Sequence, residues 1–383
     1  MIYFAHFNDI LASMLNAKEA VTKIFDLAGV GINGHKPWDI QVRDERLYRR
    51  LLSHGSLGLG EAYMEKWWES ERIDLFIEKL LRINAEKTIT LPFILLVIKA
   101  RLFNLQSRFL AKKVVNAHYD LSNDLYMSFL DPYNQYSCGF FKNTDDLNTA
   151  QTQKLDLICK KLRLKKDDSV LDIGCGWGGF AKYAAENYGC RVVGITISDE
   201  QFKYASKYVA GLPVEIRKQD YRDLSGEKFN KIASIGMMEH VGCKNYRKFM
   251  EVVHACLADD GLFLLHTIGG NDTVSRGEPW SDKYIFPNGM LPSIKQLGEA
   301  SERLFVMEDW HNFGPYYYQT LLAWDRNFKK NWPKIRNQYS ETFYRMFHYY
   351  FNSFAGAFKA RHIALWQIVF SKGKSDKVYE PVR

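Results

Sequence analysis

The sequence predicts an α/β protein: an open, mostly parallel sheet flanked by helices, with a smaller, mainly helical N-terminal domain. Three observations carry this expectation. Residues 169–173 (Ser-Val-Leu-Asp-Ile) form a short, mostly β-branched or apolar run that reads as a buried strand, and a glycine turn and a helical pattern follow directly. From residue 148 onward strand patterns alternate with helical ones. The first 86 residues instead mix short helical patterns with turns.

Length and composition bound the class. A chain of 383 residues has room for two domains, and 46% hydrophobic with 25% charged residues describes an ordinary globular protein. Aromatic content is high, at 15%. The six cysteines (138, 159, 175, 190, 243 and 256) show no CxxC pair and no zinc-like spacing. They suit a reducing compartment better than a disulfide framework, and no metal site is expected. The N-terminus has no basic region ahead of an apolar core, so no signal peptide is read. The greasiest run, 91–98, contains Pro92 and is far too short to span a bilayer. A cytoplasmic protein, at most peripherally membrane-associated, is expected.

Taken in order, residues 8–28 read as a helix ended by Gly29 and Gly31. Gly55, Gly58 and Gly60 mark a turn before residues 61–68. No buried strand precedes that cluster, so it is not read as a phosphate loop. Trp67 and Trp68, followed by Ile73, Phe76, Ile77, Leu80 and Leu81, suggest an amphipathic helix. The core of a small domain is preferred over a lipid-facing surface.

Residues 87–119 contain Lys87, Lys99, Arg101, Arg108, Lys112 and Lys113 and no Asp or Glu, against a net charge of +8 for the whole chain. Leu95, Ile98, Leu102, Leu105 and Phe109 fall on one helical stripe. Such a segment suits an anionic membrane surface. An ordinary interdomain helix is the next reading. A nucleic-acid patch is weakest, because no recognised motif accompanies the charge, so no nucleic acid is expected. The boundaries drawn are 1–90 for a lipid-binding or accessory domain, 91–115 for a basic linker helix and 116–383 for the catalytic domain.

Within the last segment, strands are read at 191–197, 231–236, 261–267 and 364–370, and helices at 200–209 and 245–257. Residues 272–312 read as loop and helix, and the aromatic-rich stretch 316–358 as mostly helical. In such sheets ligands bind at the carboxyl ends of the strands.

The glycine turn after residue 173 defines the first ligand. Gly174, Gly176 and Gly179 admit close backbone approach, and the following helix N-terminus favours negative charge. Asp172 ahead of them makes Asp-x-Gly-x-Gly, which resembles motif I of S-adenosylmethionine (SAM) methyltransferases and implies a Rossmann-like SAM domain. SAM is favoured over a nicotinamide cofactor and over a purely structural turn. Other polar residues fall at strand ends: Thr196 with Gln201 where many methyltransferases carry an acid, Gln219-Asp220-Tyr221, Glu239-His240, and His266 in an apolar run. A histidine there is more often a core residue, but Glu239 on the neighbouring strand end favours a functional one.

Several phrases together carry a closer resemblance. They are Ala117-His118-Tyr119-Asp120-Leu121-Ser122-Asn123-Asp124, Gln135-Tyr136-Ser137-Cys138, residues 171–179, Thr196-Ile197-Ser198, Glu239-His240-Val241-Gly242, Leu265-His266-Thr267-Ile268-Gly269 and Phe286-Pro287 with Gly289 and Leu291-Pro292-Ser293. Over residues 118–370 the chain resembles the bacterial cyclopropane-fatty-acyl-phospholipid synthases and the related mycolic acid cyclopropane synthases. The N-terminal segment with Gly55-Ser56-Leu57-Gly58-Leu59-Gly60-Glu61 is similar to the phospholipid-acting branch.

The resemblance implies methylene transfer from SAM to cis double bonds of unsaturated phospholipids in the bilayer. It implies that Tyr136, Ser137, Asp172, Gly174, Cys175, Gly176, Trp177, Gly178, Thr196, Gln201, Asp220 and Tyr221 hold SAM. It further implies that Cys138, Glu239, His266, Tyr317 and the Ile268 backbone hold a bicarbonate ion that acts as the base. Tyr317 is chosen from Tyr316-Tyr317-Tyr318 by counting from His311-Asn312-Phe313-Gly314. Some relatives carry a cysteine where this chain has Phe354, so no thiol nucleophile exists there. A SAM-dependent methyltransferase acting on another lipid or a small molecule, a non-catalytic binding module, direct base catalysis by His266, and a homodimer all stay open at this point.

Overall fold

The computed structural model describes residues 17–83, 122–274, 276–375 and 378–383. The basic stretch 87–119 and the start of the helix expected over 8–28 lie outside the described residues. The chain divides into two compact units.

The larger unit is built on a seven-stranded sheet. Its strands are β1 (Ser169–Ile173), β2 (Arg191–Thr196), β3 (Val214–Lys218), β4 (Phe229–Ile235), β5 (Leu257–Gly270), β6 (Val306–Asn312) and β7 (Ile363–Ser371). Their spatial order is β3-β2-β1-β4-β5-β7-β6. The first five run parallel, and β7 runs antiparallel to both β5 and β6. Alternation in β1 explains its burial: Leu171 and Ile173 enter the core on one face with Phe249, Phe263 and Trp366, while Val170 enters the core on the other with Phe180 and Val192. Each such side chain, fully buried, contributes about 1.5–3 kcal/mol.

Helices connect the parallel strands. Ser198 caps the helix Asp199–Tyr208 by accepting the Gln201 amide. The long helix Pro315–Ile335 follows β6. The region 272–312, read as loop and helix, contains β6 as an additional edge strand. Its Val306 and Met307 are exposed and Glu308, Asp309 and His311 interrupt the apolar alternation, so the strand pattern is masked.

The second unit gathers three sequence-distant stretches: the described N-terminal residues, 278–287 and 333–360. The helix Ile73–Leu81 lies against Glu341–Lys359, and Gly356 makes the approach possible, because a Cβ there would stand 2.5 Å from the Asp74 carbonyl oxygen. Arg345 Nε donates to the Tyr63 carbonyl at 2.7 Å and Trp68 Nε1 donates to that of Leu59 at 2.9 Å. Phe354 edges onto Tyr350 at 5.2 Å between ring centres.

The turn expected at residues 55–60 is instead a kink inside the helix Arg46–Met64, at Gly55 with φ 54°. The glycines there serve packing: a Cβ on Gly60 would meet the Trp280 ring at 2.4 Å. Glu61 then accepts from Arg50, Lys283 and Tyr284, which satisfies its buried carboxylate.

Candidate active site

The site lies within the sheet unit, at the carboxyl ends of β1, β2, β4 and β5. The chain leaves β1 through Gly174, Gly176 and Gly178, all with positive φ (81°, 55° and 83°). Gly174 and Cys175 both donate to the Ile195 carbonyl, which fixes the turn against β2. No Cβ fits at Gly179, where it would fall 1.8 Å from the Tyr133 carbonyl oxygen. The result is a backbone cradle of the kind that holds a carboxylate at a helix N-terminus.

Asp172 stands on β1 just before the cradle, buried, and its Oδ2 has no hydrogen-bond partner among the described residues. Burial pushes its carboxyl up to about 7, opposed by the charge of Lys154. An orphaned carboxylate oxygen beside a glycine cradle fits the ammonium and carboxylate of an amino-acid ligand such as the methionyl end of SAM. At the end of β2, Thr196 Oγ1 donates to Gln201 Oε1 at 2.8 Å, so the two expected partners of the ribose stand together.

The other expected SAM residues differ in what they offer. Trp177 Nε1 donates to Asn123 at 2.8 Å and its ring packs on Tyr126, so its N–H is occupied. Cys175 is buried, with Gly194 opposite it. Asp220 is engaged by Arg222 through both carboxylate oxygens. The Tyr221 ring is buried against Phe249 at 5.2 Å. Tyr136 and Ser137 belong to a segment held from behind by Lys154, whose Nζ donates to Gln135 Oε1 and, at 3.0 Å, to Ser137 Oγ. Gln151 donates to the Ser137 carbonyl at 2.8 Å. Lys154 is fully buried, and desolvation lowers its ammonium to about 8.

The second half of the site stands at β4 and β5. Glu239, in the short helix Met238–Val241 after β4, accepts the Ile268 amide on Oε1 at 2.7 Å. Its Oε2 is buried without a hydrogen-bond partner among the described residues, and burial pushes the carboxyl up to about 7. The Ile268 N–H, expected to donate to a bound anion, donates here to Glu239. His266 on β5 is buried, its Nε2 has no partner, and desolvation holds the imidazole neutral. Gly236 donates to the His266 carbonyl, which ties the two strand ends together.

Tyr317 is buried, and burial, with Cys138, Glu239 and Tyr136 in its surroundings, pushes its hydroxyl well up, whereas Tyr316 packs edge-on to Phe140. Of these two, Tyr317 is the one with Glu239 in its surroundings. Cys138 is fully buried, its thiol donates to the Gly139 carbonyl at 3.2 Å, and burial pushes its pKa far up. It is a neutral thiol and not a nucleophile. Tyr126, Phe129, Tyr136, Trp324 and Tyr317 form a continuous chain of ring contacts beside these groups, at 5.3–6.0 Å between centres.

Comparison with known proteins identifies the family. Residues 106–368 match the family described as mycolic acid cyclopropane synthetase. The chain belongs to that family. It is 53% identical to the cyclopropane-fatty-acyl-phospholipid synthase of Escherichia coli over 92% of each chain. It is 35% identical to cyclopropane mycolic acid synthase 1 of Mycobacterium tuberculosis, over 67% of this chain and 96% of that one. The crystal structure of mycolic acid cyclopropane synthase CmaA1 with SAH and CTAB superimposes with a TM-score of 0.62 at 33% identity, covering 68% of this chain and 98% of that chain. The sheet unit therefore has the Rossmann-like fold of SAM-dependent methyltransferases.

Sequence reasoning missed Lys154, Gln151, Gln367 and the aromatic members Tyr126, Phe129 and Trp324. Only the last three left a signal, as part of the high aromatic content.

Proposed function

We propose that this chain is a SAM-dependent cyclopropane-fatty-acyl-phospholipid synthase, converting cis double bonds of unsaturated phospholipid acyl chains into cyclopropanes with bicarbonate as the base. The carrying observation is that Glu239 Oε2 and His266 Nε2, both buried and both without hydrogen-bond partners among the described residues, occupy neighbouring strand ends beside the glycine cradle.

In this reading the loop 174–178 receives the carboxylate of SAM, and Asp172 pairs with its ammonium. Thr196 and Gln201 stand for the ribose, Asp220 for the adenine amine, and Tyr136 and Ser137 close the other side. An isolated alkene is a weak nucleophile, so attack on the sulfonium methyl needs close positioning in a dry pocket. The positive charge left on the acyl chain is stabilised by ring faces such as those of Tyr136, Tyr317 and Trp324.

Bicarbonate, when bound, supplies the base that takes a proton from the transferred methyl. The donor set fits a small oxyanion: Tyr317 and His266 donate, and Glu239 Oε2 accepts its O–H. Ile268 orients Glu239, and Cys138 walls the site as a neutral thiol. The six cations between residues 87 and 113 support docking on anionic bilayers, where the acyl substrate resides.

The test uses vesicles of unsaturated phospholipid and SAM carrying a trideuteriomethyl group. Ring closure adds CD2 and releases one deuteron, and the product shows upfield cyclopropane proton signals. Retention of an intact CD3 group would overturn the reading and favour transfer to a heteroatom. Thorough removal of carbon dioxide should slow the reaction and added bicarbonate restore it. An unchanged rate would leave no role for the ion.

A further inference from the structure

Three residues lie directly opposite one another across the antiparallel end of the sheet: His266 on β5, Gln367 on β7 and His311 on β6. Residues paired in this way project from one face. Gln367 is 0% exposed and His266 1%, so their polar atoms are not satisfied by solvent. Gln367 Nε2 stands 3.2 Å from His266 Nδ1.

An amide nitrogen can only donate, so Nδ1 of His266 must accept. The neutral imidazole carries one proton, which is then on Nε2, a buried atom with no hydrogen-bond partner among the described residues. On the other flank, Lys161 Nζ lies 3.1 Å from His311 Nδ1 and 3.3 Å from Asp309. An ammonium also only donates, so His311 likewise keeps its proton on Nε2. Gln367 Oε1 is buried and makes no hydrogen bond to the described residues, so its Nε2 is the amide atom engaged here, on His266.

We propose that Gln367 is a positioning residue that pins His266 as its Nε2–H tautomer, making the ring a hydrogen-bond donor and barring it from taking the methyl proton. The inference rests on the proposed reaction only for what His266 donates to; the tautomer itself is a property of the protein alone. A base at this position would need a bare Nε2, and the glutamine opposes that state. His266 is thereby assigned to holding an oxyanion, and the proton must go elsewhere.

The test is the ring-nitrogen spectrum of the full-length protein labelled with 15N-histidine, recorded in carbonate-free buffer without SAM or lipid. His266 is assigned by difference against His266→Gln. The expected pattern is a protonated Nε2 and an unprotonated Nδ1. Gln367→Glu supplies an acceptor in place of a donor, so the proton should move to Nδ1. The turnover number should then fall on the order of 100-fold with SAM affinity unchanged, the scale of losing one oxyanion donor. A wild-type His266 protonated on Nδ1 overturns the proposal, as does a Gln367→Glu protein that keeps the Nε2–H pattern. If the buried glutamate prevents folding, the nearly isosteric Gln367→Met replaces it. A mixture of tautomers is then expected, and a pure Nε2–H state overturns the proposal. Because the spectrum needs no bicarbonate, a failure of the ion in the carbon dioxide experiment is read separately.

Discussion

Glu239 uses its two carboxylate oxygens unequally: Oε1 accepts the Ile268 amide at 2.7 Å, while Oε2 is buried and unpaired. The first bond aims the second oxygen. Glu239→Gln keeps the shape and replaces the acceptor by a donor on one side. The chemical rate should fall on the order of 100- to 1000-fold. SAM affinity, measured by calorimetry, should stay within about twofold, because the glycine cradle is untouched. A comparable loss of SAM affinity would move Glu239 into the SAM site.

Asp172 is expected to act on binding. Asp172→Asn removes the charge facing the SAM ammonium and should weaken SAM binding about 10- to 100-fold, the worth of one charged hydrogen bond. Titration calorimetry with SAM and with S-adenosylhomocysteine checks this. Equal affinity of variant and wild type would assign Asp172 to the fold alone.

Asp172 and Glu239 should each contribute a part of the stability that falls as pH rises, set against the buried His266 and His311, whose lowered pKa values contribute a part that rises with pH. Burial pushes Asp172 and Glu239 each up to about 7, against ordinary values of 3.8 and 4.5. Between about pH 4 and 7 the folded state therefore binds protons that the unfolded chain has released. Each group removes up to about 1.4 kcal/mol of stability per pH unit across that window, and the loss levels off above it. Urea unfolding of the wild type and of the double variant Asp172→Asn, Glu239→Gln at several pH values should show it as a difference: the wild type loses stability relative to the variant between about pH 4 and 7. A difference that does not change with pH would place the two carboxyls outside this linkage.

Vesicle docking should depend on the basic stretch. Replacing Arg101, Arg108, Lys112 and Lys113 by Gln should weaken cosedimentation with anionic vesicles, at about 1 kcal/mol per cation near the surface and less at high salt. Binding of SAM should not change. Unaltered cosedimentation at low salt would make the segment an ordinary linker.

The parallel half of the sheet was legible because buried strands leave continuous apolar runs, as in β1 and β5, and because Gly174, Gly176 and Gly178 punctuate the turn. The edge strand β6 was not, since half its side chains face outward and Asp309 and His311 break the alternation. The helix Arg46–Met64 was not legible as one element, because Gly55, Gly58 and Gly60 signal a turn, whereas the chain only kinks at Gly55. In the site, Asp172, Glu239 and His266 stood out by their place at strand ends. Lys154 could not, because among Gln151, Thr152, Gln153 and Asp156 it looks like one more solvent-facing residue, and Gln367 could not, because a single polar residue in an apolar run looks alike whether it faces solvent or a buried partner. Only the tertiary contact of Gln367 with His266 shows which.

The helical unit is assembled from stretches that emerge from the ribosome far apart. The Tyr63 carbonyl meets its Arg345 donor across 282 positions of sequence. At about 5–20 residues synthesised per second, that partner arrives roughly 14–56 s later. Until then the chain must carry Tyr63, Trp68 and Phe76 without the helix that covers them. A fragment ending before residue 333 would wait indefinitely, and is expected to stick to chaperones or to itself. The N-terminal segment is therefore a poor candidate for expression alone, and the last hundred residues decide when the first hundred can finish folding.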